Sequence, residues 1–176
     1  VVGVGQDITE MNIIKNEKIK LANQLENISN NIDGVVYTFV QNKNGSFQVK
    51  YISDGIKSLC DTTPQEVYKD IQKIFSIIHP DDYNKVVNSI NKSFKKNINW
   101  SLDYRIIVNK KTKWISGRSK IIKNNDNSAI WHGILSDITE KKQLELAKEA
   151  IGTELTQLID TANAPIFGVD TNGKIN

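Results

Sequence analysis

The chain has 176 residues, 39% of them hydrophobic and 24% charged, which allows a packed core and argues against wholesale disorder. Its net charge of +3 comes from lysines and carboxylates spread along the sequence, with only two arginines, Arg105 and Arg118. No basic face suited to nucleic acid is therefore expected.

The single cysteine, Cys60, excludes an internal disulfide and a CxxC metal site, and it fits a reducing compartment. No apolar run reaches the ~18 residues of a membrane span, so no membrane contact is expected. The opening Val1-Val2-Gly3 carries no charged leader, and the sequence reads as a piece of a longer cytoplasmic protein.

Residues 1–10 are expected to end a preceding domain, because Asp7-Ile8-Thr9-Glu10 recurs as Asp137-Ile138-Thr139-Glu140. The helices that follow keep the same register: Ile14, Leu21 and Ile28 fall on Leu144, Ile151 and Leu158, and Leu25 falls on Leu155. Such matching over some thirty residues points to tandem domains of one type, each with its own linker helix. The spacing predicts a first helix over 11–32, with an apolar seam of Ile14, Leu21, Leu25 and Ile28 interrupted by Lys18. The seam suits a parallel homodimer; an amphipathic helix lying on its own domain is the competing arrangement.

Period-two alternation then takes over. Residues 35–40 read as a strand, 42–45 as a hairpin turn and 47–53 as its partner. Short helical pieces follow at 54–59, at a start marked by Thr63 as N-cap and Pro64 in first position, and within 71–78. His79-Pro80-Asp81-Asp82 opens the longest internal helix, with both carboxylates where the helix dipole favours them. Strands at 100–108, 113–122 and 129–137 complete a five-stranded antiparallel α+β domain over 33–139. A second linker helix covers 140–162, its seam formed by Leu144, Ile151, Leu155 and Leu158, and residues 163–176 read as the first strand of a following domain.

This order, with Tyr51-Ile52-Ser53-Asp54-Gly55-Ile56, Ile78-His79-Pro80-Asp81-Asp82, Leu102-Asp103-Tyr104-Arg105-Ile106, Lys113-Trp114-Ile115 and Asp137-Ile138-Thr139-Glu140, resembles the PAS family with its C-terminal extended motif, as in multi-PAS sensor kinases. The resemblance implies helices on one side of the sheet, long coiled-coil-type helices flanking it, and adjacent PAS domains in the same chain. It also implies a sensory, non-catalytic module in a two-component system, within a protein that is itself a histidine kinase. Two features depart from the pattern. Lys110-Lys111-Thr112 stands where Asp-Gly is usual, so that hairpin is expected to be longer or irregular. No Asn-Cys-Arg flavin motif is present, and residues 84–97 hold no histidine for haem, so no cofactor is predicted.

His79 with Asp81 and Asp82 has a sufficient structural role at the helix start. Trp100, Trp114 and Trp131 are expected in the core, with ligand stacking as the alternative. No nucleophile–base set or Gly-rich phosphate loop can be read. The strongest functional residues are Asp137, Ile138 and Thr139, where the last strand becomes the output helix. In the resembled family this Asp pairs with a basic residue, for which Arg105 and Arg118 are the candidates. A ligand-free core that only sets dimer geometry is the alternative function.

Overall fold

The computed structural model describes residues 3–126 and 128–162; the side chains of residues 3–9 and of Ala22, Leu25 and Asn30 lie outside that description. It contains α1 (Gly3–Asn30), β1 (Val35–Gln41), β2 (Phe47–Ile52), α2 (Ile56–Cys60), α3 (Pro64–Lys69), α4 (Gln72–Phe75), α5 (Pro80–Lys96), β3 (Trp100–Val108), β4 (Lys111–Lys123), β5 (Ala129–Asp137) and α6 (Thr139–Ala162). Two compact units divide between Ile138 and Thr139, and α6 makes up the described part of the second.

The strands form one antiparallel sheet in the order β2-β1-β5-β4-β3. The first and last strands therefore meet in the middle of the sheet, and β2 and β3 are its edges. Alternation decides which side is covered. Tyr37, Tyr104, Ile115, Trp131 and Leu135 face inward, and Ile56, Leu59, Val67, Ile74 and Val86 from α2–α5 close over them. Two glycines make room for large inward rings. A Cβ on Gly117 would run into the Trp100 ring, and one on Gly133 would stand 2.6 Å from Tyr37.

Local signals placed the short helices as expected. Thr63 closes a capping box with Glu66, with Pro64 directly behind it. Four hydrogen bonds converge on the Glu66 carboxylate, the shortest from Lys73 at 2.8 Å. They hold its pKa down to about 2, Lys73 contributing most and the Thr63 amide next. His79 caps α5 by accepting from the Asp81 amide at 3.3 Å, so its ring serves the helix start.

One expectation is corrected. The β3–β4 hairpin is tight, not long: Val108 pairs with Lys111, and Asn109 and Lys110 both adopt left-handed φ of 50° and 63°. A two-residue turn with both central residues in that region matches the twist of the flanking strands, which offsets the strain on two non-glycine residues. Residues 3–10 are helical and continuous with α1, so Asp7 lies inside a helix whereas Asp137 ends a strand. A strand needs a neighbour to pair with, and the described residues offer none there. The expected first strand over 163–176 lies outside the described residues.

Candidate functional site

The first candidate site is a cavity of about 50 Å³ between the inward face of the sheet and α4 and α5. Aromatic rings make up much of its wall. Tyr37 and Phe39 lie 4.6 Å apart by ring centroids, Trp100 and Tyr104 6.3 Å, and Phe47 and Trp131 6.3 Å. The two indole N–H groups are already used: Trp100 donates to Ser89 Oγ at 2.7 Å and Trp131 to Ser93 Oγ at 3.2 Å. Burial pushes the Tyr37 phenol up to about 12, only partly eased by the nearby Ser119 hydroxyl, and pushes Tyr104 up as well. Both phenols are neutral across the physiological range. Of the three tryptophans, Trp100 and Trp131 line the cavity; Trp114 lies on the opposite face of β4, under the Arg105 guanidinium at 5.8 Å.

The second candidate site is the end of β5. Asp137 pairs in register with Ile115, and the amide of Ile138 donates to the Trp114 carbonyl at 2.8 Å as the last rung before α6. Lys113 reaches in from two residues away on β4. Its Nζ lies 3.7 Å from Asp137 Oδ2 and donates to the carbonyls of Ser58 at 3.1 Å and Leu59 at 3.2 Å. Those carbonyls end α2 and have no onward helical partner, so one ammonium joins a helix C-terminus to the strand end. Cys60, the last residue of α2, lies within electrostatic reach. Burial pushes its thiol up to about 12, against a downward pull from Lys113 and with a further upward push from Asp137.

A basic residue beside Asp137 is thus Lys113, and the two candidate arginines lie on the other face. The pleat gives the reason. Residues opposite one another in a ladder share a face, and Asp137 stands opposite the buried Ile115. Arg118 stands opposite Ile134 and Arg105 opposite Trp114, both on the other face. Arg105 is held elsewhere: its Nε and Nη2 donate to the two Asp82 oxygens, each at 2.9 Å. Lys113 belongs to a sequence motif singled out for other reasons; only the strand register marks it as a partner of Asp137.

The seam residues Ile14, Leu21 and Ile28 on α1, and Leu144, Ile151, Leu155 and Leu158 on α6, are each more than half exposed; the Leu25 side chain lies outside the described set. No described helix is long and apolar enough to cross a membrane.

The profile of the PAS fold matches residues 49–135. The domain has the PAS fold. Solved structures agree on the fold. A sensory box histidine kinase/response regulator from Burkholderia thailandensis matches with a TM-score of 0.55 at 19% identity, covering 71% of this chain and 92% of that one. The N-terminal domain of a diguanylate cyclase with PAS/PAC sensor from Marinobacter aquaeolei gives 0.51 at 20%, covering 61% and 98%. A domain of a light and redox sensing histidine kinase from Haloarcula marismortui gives 0.52 at 14%, covering 66% and 99%. No curated protein matches the sequence. The fold is that of sensory modules found in signalling proteins.

Proposed function

We propose that this chain is the sensing and dimerising section of a multi-PAS cytoplasmic signalling protein, a sensor histidine kinase. A change in the core alters the junction at Asp137, Ile138 and Thr139, and α6 carries it to the next domain. Residues 1–10 and 163–176 then belong to flanking PAS domains, and α1 and α6 pair in a parallel homodimer.

The observation that carries this reading is Lys113, whose single ammonium touches both the end of α2 and Asp137. A displacement of α2 must either drag this ammonium or break its contact with the output strand. Two alternative arrangements of this ion pair would form a switch, with a bias on the order of 1–3 kcal/mol. In the intact protein Asp137→Ala should change output activity or its response to signal while the domain keeps its thermal stability. Unchanged output would remove the switch role.

A second function is favoured by the small cavity volume: a ligand-free spacer that sets dimer geometry and relays signals made elsewhere. Binding at the cavity separates the two.

A further inference from the structure

We propose that the core cavity takes a small uncharged molecule with a short apolar body and one hydroxyl or carbonyl group, anchored on Ser119 and Tyr37 and admitted past Phe47 and Phe75. This rests on the sensory reading of the core.

Ser119 is the starting point. It is 7% exposed, it lines the cavity, and its Oγ closes no hydrogen bond even though the Tyr37 hydroxyl is close enough to be influenced by it. A buried polar group without a partner is uncommon and calls for one. Both indole N–H groups of this wall already have serine acceptors. A serine hydroxyl both donates and accepts, as does a neutral phenol, so a hydroxyl or carbonyl on the ligand completes the pair.

The rest of the wall sets the ligand's charge and size. No residue lining the cavity is charged. An ion placed there would lose its hydration with nothing to pair with. A volume of about 50 Å³ is far below the ~300–1,000 Å³ of sites for drug-sized ligands. The occupant is of the size of a few waters, at ~10–15 Å³ each.

The route in is marked by a second hollow of about 190 Å³ between α4, α5 and β2, lined by Gln72, Tyr83, Val87 and Asn91 among others. Phe47, Ile71, Phe75 and Ile90 line both spaces and so form the partition between them. Phe47 is 38% exposed on the edge strand β2, where no further strand restrains it.

The test is an NMR titration of the 176-residue chain with 1-butanol, butyrate and butylammonium. 1-Butanol should shift the amides of Ser119 and Tyr37 and the Trp131 indole saturably, and the two ions should not. Ser119→Ala, which removes only the hydroxyl, should weaken 1-butanol about fivefold, the effect of one neutral hydrogen bond. Saturable binding of either ion at the same resonances would overturn the ligand class and leave the core as a sensor. Unchanged 1-butanol binding by Ser119→Ala would overturn the anchor. If none of the three perturbs the cavity, this proposal falls, while the sensory reading still stands or falls on the Asp137→Ala output test.

Discussion

Asp82 accepts three hydrogen bonds from Arg105: one from its backbone amide at 2.8 Å and two from its guanidinium at 2.9 Å. The pair ties the first turn of α5 to edge strand β3 at a carboxylate that is 9% exposed. Its guanidinium contacts hold the Asp82 pKa down to about 2 from an ordinary 3.8, against the opposing effect of burial. A carboxylate with a depressed folded-state pKa contributes stability that is fully present above the unfolded value. That contribution of about 2 kcal/mol should be lost as pH falls from about 4 towards 2. Asp82→Asn should cost about 1–3 kcal/mol at neutral pH and flatten this acid limb, as read by urea denaturation across the pH range. An unchanged acid limb would assign the loss to other carboxylates.

Cys60 gives a chemical prediction. A thiol pushed up to about 12 by burial is protonated at neutral pH and is a poor nucleophile. Iodoacetamide should modify native protein slowly and urea-unfolded protein at the rate of a free cysteine. Equal rates would mean that the end of α2 opens readily.

The exposed seam on α6 predicts assembly. Ile151 is 65% exposed in the chain on its own, and burying such a side chain stabilises by about 1.5–3 kcal/mol at most. Light scattering should find a dimer at micromolar concentration, and Ile151→Lys should yield monomers whose domain melts at the same temperature. A monomeric wild-type chain would remove the dimer from the proposed function.

The parts legible in the sequence were those set by local rules. Alternation located five strands, and Thr63-Pro64 and His79-Pro80 marked two helix starts because capping needs only neighbouring residues. The tight β3–β4 hairpin escaped, since Asn109 and Lys110 are not the usual turn pair and only the sheet's twist selects their conformation. Asp137's neighbour escaped for a different reason. Their places on neighbouring predicted strands offered Arg105 and Arg118, but face parity depends on exact pairing of β4 with β5, which composition does not encode. Ser119 carried no signal at all: a serine on a strand becomes a lone buried hydroxyl only once α4 and α5 are laid over it.

The central claim is that Lys113 couples the end of α2 to the start of the output helix. Amide hydrogen exchange on Lys113→Met tests it most directly, because methionine keeps the apolar stem and removes only the ammonium. The Ile138 amide, bonded to the Trp114 carbonyl, and the Asp61 amide, bonded to the Lys57 carbonyl, report the two ends. Losing an exposed ion pair and the two carbonyl contacts should cost about 1 kcal/mol locally. The account predicts that exchange at Ile138, Asp61 and the first turn of α6 rises together by about fivefold while β1 and β5 interior amides keep their protection. Unchanged exchange at Ile138 and Asp61, or an equal rise throughout the sheet, would contradict it.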